Sequence, residues 1–210
     1  MLTDVAPLVF VVDDNPSVRK SLSRLLASAG YTIETFASAR EFLIREPSTG
    51  PCCLVLDVRM PGLTGIELQE GLAATGRRMS IVFVTGHVDV PLSVKAMKGG
   101  AMDLLTKPID QGELLAAIAR ALAKDARDLS EELRIAEIRQ RVKMLTARET
   151  EVFALVVTGM LNKQIAYDLG IGEKTIKVHR ARVMEKMRAA SVAELVRLAD
   201  AVGVTIPRAS

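Results

Sequence analysis

Tryptophan is absent from this 210-residue chain, and two tyrosines and five phenylalanines bring the aromatic share to only 3%. Proteins that hold single-stranded nucleic acid stack bases on exposed rings, so that class is disfavoured. Cysteine is nearly missing as well. Cys52 and Cys53 are adjacent, cannot build a disulfide framework, and read as small residues of a buried strand. A redox role would need an exposed, acidified thiolate, for which nothing argues. No apolar run approaches the ~20 residues that cross a bilayer, which excludes a transmembrane helix, and no membrane partner is expected. The N-terminus lacks the basic stretch and apolar core of a secretory signal, so a cytoplasmic protein is expected. No internal repeat or low-complexity tract occurs. The composition, 49% hydrophobic and 25% charged, is that of a globular protein and excludes wholesale disorder.

The net charge of +3 is small but unevenly placed. Residues 1–124 carry thirteen basic and thirteen acidic side chains, whereas residues 142–210 carry eleven basic and seven acidic. A neutral block therefore precedes a short basic one, as a polyanion partner of the second block would require.

The first block alternates strand and helix signals. Leu8–Val12, Cys52–Leu56 and Ile81–Val84 are nearly continuous apolar runs. Tyr31–Phe36 and Met102–Leu105 are shorter strand candidates. Helical spacing marks Pro16–Ser28, Ala39–Arg45, Gly65–Ala74, Val90–Lys98 and Gln111–Leu122. Five strands alternating with five helices predict an α/β fold: a parallel, doubly wound, flavodoxin-like sheet covered on both faces. Residues 123–143 contain neither Gly nor Pro and carry a sparse stripe of Leu122, Leu129, Leu133, Ile138 and Val142. They read as a charged linker helix. Residues 144–203 read as four short helices without strands. The expected limits are 1–123, 124–143 and 144–210, with a frayed tail over Ile206–Ser210.

In open parallel sheets, sites form beyond the carboxyl ends of the strands. Asp13 and Asp14 follow the first strand there, Asp57 the third, Thr85 the fourth and Lys107 the fifth. Three clustered carboxylates repel one another, and a hard divalent ion such as Mg²⁺ relieves that repulsion through oxygen ligands. Asp57 is then a candidate nucleophile for a phosphoryl group. Lys107 would offset the charge of the transferring oxygens, and the Thr85 hydroxyl would hydrogen-bond to them. Lys107-Pro108 is a candidate cis peptide that would aim the lysine inward; since most X–Pro bonds are trans, these residues alone do not decide it.

The runs Val11-Val12-Asp13-Asp14 and Asp57-Val58-Arg59-Met60-Pro61-Gly62, with Thr85 and Lys107-Pro108, resemble the receiver domain of two-component response regulators over about residues 6–124. The resemblance implies that Asp57 accepts a phosphoryl group from the phosphohistidine of a sensor histidine kinase. It also implies that Asp13, Asp14, Asp57 and the Arg59 carbonyl hold Mg²⁺, and that Thr85 and Lys107 reposition the fourth helix and fifth strand. Leu104 stands where the family usually carries Tyr or Phe, so coupling through an aromatic rotamer is not expected. Arg59 and His87 are expected to flank the phosphoryl group and gate water.

The basic block begins with Thr146 and Glu149 at capping-box spacing. Asn162 is expected to cap a second helix that stops at Gly170. After the Gly170–Gly172 turn, the segment Glu173–Arg188 carries six basic and two acidic residues. Two helices joined by so short a turn form a helix-turn-helix pattern. In the second of them Ile176, Val183 and Met187 share one face with His179, which favours a structural or backbone-contacting histidine. Lys174, Lys177, Val178, Ala181, Arg182 and Glu185 share the opposite face, which suits a major groove. The runs Asn162-Lys163-Gln164-Ile165-Ala166, Leu169-Gly170-Ile171 and Lys174-Thr175-Ile176-Lys177-Val178-His179-Arg180 resemble the LuxR-type helix-turn-helix domain. With the receiver, the whole resembles the NarL/FixJ family of regulators, in its FixJ and StyR-like branch. The resemblance implies base contacts by Lys177, Val178 and Ala181 and phosphate contacts by Lys163, Thr175 and Arg182. It further implies dimerisation through Val192–Val202, with promoter DNA and RNA polymerase as partners. Gly172 replaces the usual capping Ser, at a cost of a few tenths of a kcal/mol. A phosphorylation-dependent transcriptional regulator, and not an enzyme, is therefore expected. The alternatives are a regulator independent of phosphorylation and an aspartyl-phosphate phosphatase. The phosphatase would want an acid two residues after Asp57, where Arg59 cannot donate a proton.

Overall fold

The computed structural model describes residues 7–75, 79–86 and 90–204. Two compact units divide between Leu129 and Ser130. The first contains β1 (Leu8–Val12), α1 (Pro16–Ser28), β2 (Thr32–Phe36), α2 (Ala39–Leu43), β3 (Cys52–Asp57), α3 (Gly65–Ala74), β4 (Ser80–Thr85), α4 (Val90–Lys98) and β5 (Asp103–Thr106). The strands form one parallel sheet in the order β2-β1-β3-β4-β5. The three most apolar strands occupy its centre. Alternate residues of each strand feed two separate cores, because strand side chains alternate between faces. Phe10, Leu54, Leu56 and Phe83 pack with Phe42 of α2, Leu68 and Leu72 of α3 and Ala96 of α4. Val9, Val11, Val55 and Val82 pack on the other face with Leu22 and Leu26 of α1 and with Leu114 and Ile118 of α5 (Gln111–Lys143).

The second unit contains α6 (Ala147–Val156), α7 (Asn162–Asp168), α8 (Glu173–Met187) and α9 (Val192–Ala201), around Phe153, Ile165, Ile176, Val183 and Leu195. Thr146 caps α6 and completes a capping box with Glu149, as its spacing predicts.

Some local readings change. Asn162 is not the cap of α7. That role falls to Leu161, whose N–H donates to Gln164 Oε1 at 2.8 Å, while the Asn162 side chain accepts from Arg180 Nη1 at 2.9 Å. Helix α2 stops at Leu43, before Arg45, whose guanidinium lies 3.8 Å from the Phe10 ring centre. Strand β5 begins at Asp103; the Met102 N–H bonds to the Ile81 carbonyl just ahead of the ladder. The linker helix forms as expected and is continuous with the preceding helix in α5. Leu122 belongs to the first unit's core and Ile138 to the second's, whereas Leu133 between them is 56% exposed. Cys52 and Cys53 are buried, and burial first, then Asp125, pushes the Cys52 thiol up to about 12, which leaves it inert. The expected frayed tail lies outside the described residues.

Gly65 positions the end of β3. Its N–H donates to the Val58 carbonyl at 3.0 Å, and an added Cβ would lie 2.3 Å from the Asp57 carbonyl oxygen and 3.1 Å from Leu56 Cγ. Backbone oxygen cannot move aside cheaply. Gly65→Ala is therefore expected to destabilise the first unit by about 1–3 kcal/mol, a typical overpacking cost. Chemical denaturation measures this; an unchanged midpoint would show that β3 tolerates displacement at Asp57.

Candidate functional site

Neighbouring strands β1 and β3 send their following helices, α1 and α3, to opposite faces of the sheet. The chain diverges there and leaves a crevice at the strands' carboxyl ends, where such folds place their sites. Asp13 and Asp57 lie in it, 1% and 7% exposed, with the exposed Asp14 beside them. One carboxylate oxygen of each lies within 4.8 Å of the others. The structure thus brings together the three carboxylates that the sequence analysis singled out.

Each member is held by backbone geometry. Asp13 Oδ1 accepts from the Asn15 N–H at 2.8 Å, and the Asp13 carbonyl accepts from Arg19 Nη1 at 2.6 Å. Asp57 Oδ1 accepts a long bond, 3.4 Å, from the Arg59 N–H. The Lys107-Pro108 peptide is cis. Lys107 Nζ donates to Asp13 Oδ2 at 2.7 Å and to Asp57 Oδ2 at 3.1 Å. The Lys107 N–H donates to the Thr85 carbonyl at 2.8 Å, which ties the lysine's backbone to the fully buried end of β4. Burial, reinforced by the nearby Asp13, pushes the Asp57 carboxyl above the usual carboxylate range, although Lys107 opposes it. Burial pulls the Lys107 ammonium down, but its bonds to Asp13 and Asp57 outweigh that and raise it.

The donor set fits a hard divalent ion. It is all oxygen, carries three formal negative charges against one ammonium, and is partly open through Asp14. Arg59 has an exposed side chain beside the site. Leu104 is partly buried on the α3–α4 side of the sheet, and it brings no ring to the crevice. His87 lies outside the described residues. Sequence reasoning missed the supports: Asn15, Arg19 and the close approach at Gly65. The Asn15-Pro16 pair at the head of α1 was the available signal for a cap.

In the second unit, α7 and α8 form the helix-turn-helix. Ile176, Val183 and Met187 are fully buried. Lys174, Thr175, Lys177, Val178, Ala181 and Arg182 are exposed together on the outer face of α8, and Lys163 is exposed on α7. Lys177 pairs loosely with Glu173 at 3.4 Å. His179 is half-buried, and its Nδ1 is buried without a hydrogen-bond partner. Gly172 precedes α8 without a side-chain cap. The buried Glu149 accepts from Lys186 Nζ at 2.6 Å, a contact that sequence spacing did not reveal because it joins α6 to α8.

A parallel sheet in this order, an acidic strand-end crevice bridged by lysine, and a helix-turn-helix in the same chain define a response regulator. Residues 9–119 match the response regulator receiver domain, and residues 143–199 match the luxR family of bacterial regulatory proteins. Nodulation protein W of Bradyrhizobium diazoefficiens is 43% identical over 94% of this chain and 87% of its own. The transcriptional regulatory protein FixJ of Azorhizobium caulinodans is 45% identical over 93% of each chain. The solved structure of the response regulator StyR has a TM-score of 0.84 at 46% identity and covers 93% of this chain and 99% of its own. The chain belongs to the response regulator receiver family and carries a luxR-type DNA-binding region. It is a phosphorylation-dependent regulator of transcription. The receiver implies a sensor kinase as partner, and the helix-turn-helix implies DNA.

Glu149 supplies a test of the second unit. The Lys186 ammonium, and then the Thr146 N–H, hold its carboxyl down at about 2. A depressed folded pKa stabilises the fold at pH above the unfolded value, and that contribution is lost as pH falls through the folded one. Calorimetry of the full chain should therefore show the second unit losing stability from about pH 4.5 toward pH 2. Glu149→Gln should flatten that loss. Equal pH slopes in both proteins would contradict the pairing.

Proposed function

We propose that Asp57 is the phosphoacceptor and that the chain couples its modification to promoter binding. The observation that carries this reading is the bridge from Lys107 to Asp13 and Asp57, at 2.7 and 3.1 Å, inside a cluster of three carboxylates. A carboxylate oxygen of Asp57 attacks phosphorus, the N–P bond of the donor's phosphohistidine breaks, and the imidazole departs with its electron pair. Mg²⁺, held by Asp13, Asp14, Asp57 and the Arg59 carbonyl, would neutralise charge on the transferring oxygens. Lys107 then exchanges its Asp57 contact for a phosphoryl oxygen. Because its N–H is tied to the Thr85 carbonyl, that exchange pulls on the end of β4. The Thr85 hydroxyl completes the contact, and the displacement passes to α4 and β5. The pocket catalyses only its own phosphorylation and slow dephosphorylation, so the chain is not an enzyme toward other substrates.

Exposure of Lys174, Lys177, Val178, Ala181 and Arg182 on one face of α8 supports entry of that helix into the major groove. Lys177, Val178 and Ala181 would face bases, and Lys163, Thr175 and Arg182 phosphates. The working limits are 1–123 for the receiver, 124–143 for the linker helix and 144–210 for the DNA-binding domain. The active form is a homodimer on half-sites about 34 Å apart, in contact with RNA polymerase. Binding to promoter DNA places its action in the cytoplasm; among the described residues no helix is long and apolar enough to cross a membrane.

Two experiments test this reading. Wild-type chain treated with acetyl phosphate and Mg²⁺ should gain the mass of one phosphoryl group, and Asp57→Asn should gain none. Modification of the variant would place the acceptor elsewhere. On duplexes enriched by the phosphorylated protein from a random pool, Lys177→Ala should cost about 1–3 kcal/mol and relax preference at one base pair. A uniform loss across all sequences would make Lys177 a phosphate contact.

A further inference from the structure

The last two turns of α5 hold a polar joint that the luxR-family match, beginning at residue 143, does not include. Arg141 donates from Nη1 to the Met187 carbonyl at 3.1 Å and from Nη2 to Glu137 Oε1 at 2.6 Å. Met187 is the last residue of α8, and its carbonyl is one of those a helix leaves without an internal partner, at the negative end of its dipole. Arg141 therefore caps α8 from a different helix. The same Glu137 oxygen also accepts from Arg188 Nη1 at 3.4 Å. Arg188 is the C-cap of α8 at φ 53°, ψ 41°, and among the described residues it is the one non-glycine residue with a positive φ.

Two costs meet at this joint. A left-handed arginine is strained where glycine would not be. The Arg141 Nε–H is buried without an acceptor, on a side chain only 17% exposed. Stability alone would favour glycine at 188 and an apolar side chain at 141. What the two arginines provide is direction: they tie the end of α8 to the helix whose Ile138 is buried in the same core.

We propose that Glu137 and Arg141 are positioning residues for DNA recognition, which makes the end of the linker helix part of the DNA-reading module. The proposal rests on α8 being the recognition helix. That helix is mounted at three points. Arg180 reaches Asn162 of α7, Lys186 reaches Glu149 and the Met144 carbonyl, and Arg141 reaches Met187. The third mount sets tilt and roll at the carboxyl end. Base contacts need their side chains placed to within roughly half an ångström, whereas phosphate attraction follows charge and tolerates tilt. Loss of the joint should therefore lower specific affinity more than general affinity.

The test uses the full-length chain at one salt concentration, with duplexes enriched by the wild-type protein from a random pool set against the unselected pool. Arg141→Met should lower the enriched-to-unselected affinity ratio about tenfold, the discrimination of one misplaced base contact, beyond any change in the thermal midpoint. Arg141→Lys, which keeps charge and a donor, should recover most of the ratio. Glu137→Ala removes a negative charge, so its binding to unselected DNA should strengthen while the ratio falls. The exposed Glu137 carries the test by itself if Arg141→Met does not fold. Unchanged ratios, or ratios that fall only in step with the thermal midpoint, would overturn the proposal. If the wild-type chain enriches no sequence, DNA recognition by α8 fails first and the positioning role fails with it, an outcome distinct from enrichment with unaltered ratios.

Discussion

One ammonium group divided between two buried carboxylates is the constraint on which the receiver depends. Asp13 and Asp57 sit at the ends of adjacent strands in surroundings that penalise their charge, and Lys107 is the counter-charge supplied by the protein. The arrangement is stable yet incompletely neutralised, with three acids against one base. Its all-oxygen donor set fits a divalent cation. Lys107 would keep one of its two bonds if the other were broken, as the exchange proposed for it requires. Through its own N–H bond to the Thr85 carbonyl, the Lys107 backbone is joined to the end of β4.

The second unit solves a different problem with related means. The outer face of α8, proposed to read DNA, is exposed and basic, so α8 cannot be held in place by burial all round. Ile176, Val183 and Met187 anchor its inner face, and polar contacts orient its ends. The Lys186–Glu149 pair is the strongest of these, since Glu149 is almost fully buried and its charge is stabilised by a backbone N–H as well as by the lysine. Exposed pairs such as Lys177–Glu173 contribute only ~0.3–0.5 kcal/mol, and the pair leaves Lys177 free to turn toward another partner.

Most of the architecture was legible in the chain. The apolar runs of β1, β3 and β4 can only be central strands, and alternation with helices leaves a parallel sheet as the solution. The acidic crevice was legible for the same reason: polar residues that recur at the ends of apolar runs must meet on one rim. Local capping chemistry was less dependable. Thr146 caps α6 as its spacing predicts, but Asn162 turns away from the backbone because Arg180, distant in sequence, offers its side chain a charged donor. The stripe from Leu122 to Val142 was legible as helix, but the cores that cover its ends were not. Helical periodicity shows that such residues share a face, and says nothing about whether one core or two will cover it.

Residue types, their order and their period determined the sheet, the bundle, the carboxylate cluster and the basic face of α8, since each follows from short-range periodicity or from position at an element's end. Tertiary structure alone decided which partners those groups take: Lys107 with both Asp13 and Asp57, Lys186 with Glu149, Arg141 with the last carbonyl of α8, and Gly65 against the Asp57 backbone. The reason is physical. A charged or close-packed contact between elements depends on distances of a few tenths of an ångström, fixed by how whole helices and strands pack. No local pattern of residues carries that information.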